Sequence, residues 1–191
     1  MATFTPYGFR RTKKGLVSTA YPTGRAVAET RPYGAYPAKW EFTIPEDFVL
    51  VIDTRELTPL FLPKPVKGLL IVRDTLKYGD YSVRGFTDTV SIERKNIDDL
   101  WSSLTRDSER FKRELDALMS YELKYILIDG MESEYLCHRP ERKIHPNAIR
   151  GALAMIEAKM GIPVHQSESR ESEERWLLDL LSRWFRFKRG L

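Results

Sequence analysis

Cysteine is almost absent from this chain: Cys137 stands alone among 191 residues, which excludes an internal disulfide. With only three histidines, no Cys/His cluster has the spacing of a zinc site. Long apolar runs are missing too. The opening residues MATFTPYGFRRTKK contain none, and no later stretch approaches the roughly 18 apolar residues of a membrane span. There is no internal repeat and no low-complexity segment. These absences point to a soluble intracellular protein: in the cytoplasm of a prokaryotic cell or phage-infected host, or in the nucleus if the source is eukaryotic. Excess charge is scarce as well. The formal net charge is +4, which permits a polyanionic partner without demanding one.

What is present fits one globular domain with an extension. A 42% apolar fraction suffices to bury a core. Residues 1–46 differ from the rest, with Tyr7, Tyr21, Tyr33 and Tyr36 set among Gly, Pro, Arg and Lys and no sustained helical period. This basic, Tyr-rich extension carries seven bases against three acids, so residues 47–191 are formally neutral. Its bases and tyrosines suit phosphate contact and base stacking; a strap packed on the domain and a partner-binding tail are the competing readings.

From residue 48 the pattern alternates between strand and helix. FVLVID (48–53) and GLLIVRD (68–74) are short apolar, β-branched runs that predict buried strands. YGDYSVR (78–84) and TVSIERK (89–95) flank GFTD and predict a hairpin. After Asn96, apolar residues from Ile97 to Met119 recur at steps of three, four and seven, which predicts one long amphipathic helix. KYILIDG (124–130) reads as a strand, and Pro146 to Met160, closed by Gly161, as a helix. A short strand in IPVHQS and a helix over 173–188 complete an α/β chain. On that last helix Trp176, Leu180, Trp184 and Phe185 form either core or a dimer face.

The hairpin carries the chemistry. With Arg84 and Thr89 as its last paired residues, antiparallel pairing sets Asp80 opposite Glu93. Directly opposed Cβ atoms lie about 4.5–5.5 Å apart, and like charges so placed repel. Alternation puts Asp80, Ser91, Glu93 and Lys95 on one face, with Tyr81, Val83, Val90 and Ile92 on the other with the core. A hard divalent cation such as Mg²⁺ relieves such repulsion, and phosphodiester cleavage uses one to polarise the phosphoryl oxygen and activate water. Lys95 stands ready to orient water or stabilise developing charge. The plainer alternative is that Asp80 and Glu93 only solvate an exposed face. Asp53 and Glu56 end the first strand, where open α/β sheets place ligand sites. Asp99 serves either the metal or the helix start. Arg94 points toward the apolar face, where a guanidinium is costly unless paired.

GDYSVRGFTDTVSIERKNIDDL resembles the signature of XPF-type structure-specific endonucleases: a Gly-Asp pair, then Glu-Arg-Lys, three residues and Asp, here Gly79, Asp80, Glu93, Arg94, Lys95 and Asp99. The upstream Asp53, Thr54, Arg55 and Glu56 look like that family's Asp-x-Arg-Glu motif, and SSLTRDSERFKREL resembles the helix following its lysine. The resemblance covers roughly residues 48–187. It implies a restriction-endonuclease-like mixed sheet flanked by helices and Mg²⁺- or Mn²⁺-dependent cutting of branched or flap DNA. By matching positions it implies Asp53, Asp80 and Glu93 as metal ligands, Lys95 as catalytic, and Glu56, Arg94 and Asp99 as supporting residues. Family members usually add tandem helix-hairpin-helix modules, for which this chain has no room. The resemblance leaves open a homodimer, or a heterodimer with a partner bearing them.

Arg106, Arg110, Lys112 and Arg113 are DNA-binding candidates on the first helix, with a solvated face as the alternative. His138, His145 and His165 read as structural and Cys137 as inert. Two other functions compete: a non-catalytic DNA-binding or scaffold subunit, in which the acids and lysine should have decayed, and a junction resolvase-like nuclease of the same fold.

Overall fold

The computed structural model describes residues 9–12, 15–18, 43–61, 66–135 and 145–191. Two compact units divide at Trp40/Glu41. In the first, β1 (Phe9–Thr12) and β2 (Gly15–Ser18) form an antiparallel pair. The tyrosines of the extension, Cys137 and His138 lie outside the described residues.

The second unit holds a mixed six-stranded sheet flanked by helices, ordered β4-β3-β5-β6-β7-β8. Its strands are β3 (Val49–Asp53), β4 (Leu70–Asp74), β5 (Tyr81–Val83), β6 (Val90–Asn96), β7 (Leu123–Asp129) and β8 (Val164–Ser167). β3 is buried at every residue, as its continuous apolar run predicts. β4 departs from expectation. It pairs in parallel with β3 at one edge of the sheet, and Leu70 is 58% exposed. An apolar run alone does not distinguish a central strand from an edge strand.

The expected single helix over 97–119 is two: α1 (Ile97–Ser103) and α2 (Ser108–Leu118). The apolar spacing hides a break. The Thr105 hydroxyl donates back to Trp101 O at 2.8 Å, and Asp107 N donates to Ser102 O, closing the first helix. Arg106 therefore sits in the turn rather than on a helix. α3 (Glu132–Tyr135) is a single turn. α4 (Pro146–Met160) follows the expected bounds and stops at Gly161, which takes the left-handed conformation. α5 (Arg170–Arg189) begins earlier than residue 173, because Ser169 and Ser172 form a reciprocal cap at its start.

Both sheet faces are covered, which corrects the picture of one core face and one polar face. β6 runs parallel to β7 with Glu93 beside Ile126 and Lys95 beside Ile128. Ile126 and Ile128 pack with Leu100 on α1, Phe111 and Leu115 on α2, and Ile149, Leu153 and Ile156 on α4, which close the layer. On the opposite face α5 buries Leu177, Leu178, Leu181 and Phe185, and Phe185 meets Phe48 edge to face at 5.6 Å. Trp176, Leu180 and Trp184 are half-buried at the margin of this layer. Among the described residues, no helix is long and apolar enough to cross a membrane.

Candidate active site

The hairpin is shorter than expected but keeps its register. Tyr81 pairs with Ile92, so Asp80 and Glu93 come next in opposition. Arg84 N donates to Val49 O on β3 instead of extending the hairpin, and Phe86 N turns back to Val83 O. Asp80 N donates to Ile92 O at 2.8 Å, and Asp80 Oδ2 accepts from Arg94 N at 2.7 Å, which fixes this carboxylate against β6. Gly79 precedes it with φ of 77°, and a Cβ there would fall 2.3 Å from Ser91 Oγ and 3.1 Å from Ile92 O. Glycine is thus required where the chain passes over β6 to deliver Asp80.

Asp80 and Glu93 both line a cleft of about 400 Å³, together with Glu56, Lys95, Asp99 and Arg110. A second hollow of about 270 Å³ shares Asp80, Glu93, Lys95 and Arg110 and adds Tyr78 and Glu114. Burial, then the Glu93 charge opposite, pushes the Asp80 carboxyl up to about 8. Lys95 Nζ donates to Glu93 Oε1 at 2.8 Å and lies 4.9 Å above the centre of the Phe111 ring. Burial opposes its charge, but Glu93, followed by Glu114 and Asp80, outweighs that and holds its pKa above the ordinary lysine value.

Asp53 sits at the end of β3 but is 1% exposed and is not part of the cleft lining. Its Oδ1 accepts from Arg55 N and Arg55 Nε, both at 2.7 Å; its Oδ2 accepts from Arg55 Nη2 at 3.0 Å and Leu76 N at 2.7 Å. Burial alone would raise this carboxyl, yet those hydrogen bonds hold it below the usual carboxylate range. Arg55, which composition gives no reason to single out, lines both hollows beside Asp80 and Glu93. Among the described residues, no group of three or more His, Cys, Asp or Glu has the geometry to hold a metal ion. The opposed pair that faces the cleft is Asp80 and Glu93.

Glu56 accepts from Thr58 N at 2.8 Å and lies 3.8 Å from Arg94 Nη1. Asp99 lies in the first turn of α1, which Asn96 caps: Asn96 Oδ1 accepts from Asp99 N, and Asn96 Nδ2 donates to Asp99 Oδ2, both at 2.8 Å. It occupies the helix start and the cleft wall at once. Arg110 reaches the cleft, whereas Arg106, Lys112 and Arg113 are exposed and outside its lining.

Arg94 has the partners that its position requires. Nε and Nη2 donate to the two oxygens of Glu173 on α5 at 2.8 and 3.0 Å, and Nη2 also donates to Asp129 Oδ2 at 2.6 Å. Burial works against the guanidinium charge, but Glu173 outweighs it, and the Arg94 pKa rises. For Glu173 burial prevails over Arg94, and its carboxyl is raised. Sequence reasoning misses Glu173. The signal is an acid four residues before Leu177 and eight before Leu181, in the stripe that α5 turns inward.

His165 stacks on Trp176 at 3.9 Å, and the His145 side chain caps α4, so neither joins the site. Comparison with curated protein sequences finds no match. Among solved structures the chain is similar to XPF from Aeropyrum pernix: 22% identity, TM-score 0.56, covering 71% of this chain and 63% of that one. It is also similar to XPF from Aeropyrum pernix in complex with DNA, with 19% identity and TM-score 0.53, covering 72% and 64%. The chain thus spans less than two thirds of either, and the likeness is one of fold. The family model of the ERCC4 domain matches residues 52–180, a span that contains every residue of the cleft described above. This chain belongs to the ERCC4 domain family, and its fold is similar to that of XPF from Aeropyrum pernix.

Proposed function

We propose that the domain is a metal-dependent DNA endonuclease that hydrolyses phosphodiester bonds in branched, flap or junction DNA during repair, recombination or replication. The observation that carries the reading is the opposed Asp80 and Glu93 in a cleft, with Lys95 Nζ 2.8 Å from Glu93, in a chain of this nuclease family. A scaffold subunit has no need to keep two mutually repelling acids and a buried lysine together.

The donor set fits a hard divalent cation: two opposed carboxylates, Asp80 just before β5 and Glu93 on β6, the first pushed up to about 8 by burial and by the second. Asp80 and Glu93 would hold Mg²⁺ or Mn²⁺, with Asp53 as a third ligand once Arg55 lets it go. When bound, the cation supplies Lewis-acid polarisation of the phosphoryl group and a more acidic water. The remaining work falls to this chain's own side chains. Lys95 places a positive charge where negative charge develops on the phosphoryl oxygens. Arg110, at the cleft mouth, meets the DNA backbone. Arg106, Lys112 and Arg113 extend that contact outward on the exposed side of the turn and α2. Glu56 and Arg94 brace the floor.

The DNA-bound XPF of Aeropyrum pernix supports DNA as the ligand by likeness of fold. Branched structure and a second subunit, either a copy of this chain or a helix-hairpin-helix-bearing partner, belong to the proposal on family resemblance. A labelled panel of flap, fork, four-way junction, single strand and duplex tests it. Cutting confined to the branched substrates is expected; equal cutting of plain duplex would remove the structure preference.

A further inference from the structure

One carboxylate beside Lys95 has no role so far. Glu114 lies on α2 among Phe111, Leu115 and Leu118, the residues that this helix buries against the sheet. Its Oε2 is buried and accepts no hydrogen bond, while Lys95 Nζ lies 3.9 Å away. The other oxygen, Oε1, is 3.6 Å from Arg110 Nε. A buried carboxylate oxygen without a donor is a cost that a leucine or methionine at this position would avoid.

We infer that Glu114 is a positioning residue for Lys95; this rests on the nuclease reading above. Glu93 has two duties that conflict. It accepts the hydrogen bond from Lys95 at 2.8 Å, and it faces Asp80 as one of the two carboxylates suited to a cation. A Glu93 that turns to a cation gives up Lys95. Glu114 then keeps the ammonium over the Phe111 ring, in the wall of the cleft that Lys95 lines. Arg55 and Arg110, which line the same hollow, repel a lysine that drifts, so the carboxylate on α2 also sets the side of the cleft from which Lys95 acts.

The direct test is nitrogen-detected NMR of the Lys95 ammonium with Mg²⁺ present, in the full chain and in Glu114→Gln, which removes the charge but keeps the shape. The wild-type signal should persist with Mg²⁺, while that of Glu114→Gln broadens away as the ammonium exchanges with water. Alongside it, Glu114→Gln should lower kcat on flap DNA about 10- to 100-fold with KM and Mn²⁺ affinity within about twofold, as for other residues that orient a site from behind. In a Lys95→Met background the same change should cost nothing further. Persistence of the Lys95 signal in Glu114→Gln, or an equal loss of activity in the Lys95→Met background, would overturn the assignment. If the wild type cuts no DNA but the signal still depends on Glu114, the positioning stands and the nuclease reading falls.

Discussion

Arg94 and Glu173 meet across the junction of sheet and helix as a two-toothed pair, Nε and Nη2 against both carboxylate oxygens at 2.8 and 3.0 Å, with the Glu173 side chain fully buried. Removing Glu173 takes the two-toothed partner from a guanidinium that is 6% exposed and leaves it Asp129 at 2.6 Å and Glu56 at 3.8 Å. Glu173→Ala should therefore cost about 3–5 kcal/mol in urea denaturation, and Arg94→Met with Glu173→Leu together should recover a large part of it. A loss below about 1 kcal/mol in the single variant would contradict a structural role for this pair.

The Asp80 carboxyl gives the metal-free protein a pH dependence of unusual sign. Its folded pKa of about 8 exceeds the ordinary 3.8, so the folded state holds this proton more tightly than the unfolded chain does. The stabilising contribution is complete below the unfolded value and is lost as pH rises through about 8. In EDTA, the melting temperature should fall between about pH 5 and pH 9, and Asp80→Asn should flatten that fall. A slope identical in the variant would show that other groups set it.

On the proposed reading, Arg55 and a divalent cation would compete for the same acids. The guanidinium now holds both oxygens of Asp53 and borders Asp80 and Glu93. Replacing it with glutamine should tighten Mn²⁺ binding, read by electron paramagnetic resonance, by about 10-fold, the scale on which neighbours of metal ligands act. Asp53→Asn should weaken binding if Asp53 is the third ligand. Unchanged affinity in Arg55→Gln would mean that the guanidinium stays clear of the cation.

Much of the site is legible in the sequence because it is local. The register across one hairpin sets Asp80 against Glu93, and period-two alternation separates Lys95 from Arg94. Helix α4 is legible because its ends are marked by Pro146 and Gly161. What fails depends on tertiary context. The partner of Arg94 comes 79 residues later, on a helix whose inward stripe contains one acid. The break between α1 and α2 falls inside a run where Leu104 and Phe111 keep the apolar spacing, so periodicity passes over it. The exposure of Leu70 follows from its strand's place at the edge, which the run LLIV does not encode. A place at the end of a strand suggests that Asp53 faces a cation, and its engagement by Arg55 follows only from the geometry of the turn beyond it.

Whether Asp80 belongs to a metal-dependent cleavage site is decided by incubating labelled flap DNA with the protein and with Asp80→Asn in Mg²⁺, Mn²⁺ or EDTA. The wild type should cut with either metal and not in EDTA, and Asp80→Asn should lose at least about 1,000-fold in activity, with DNA binding retained. Metal-independent cutting, or full activity in Asp80→Asn after contaminants are excluded, would contradict it.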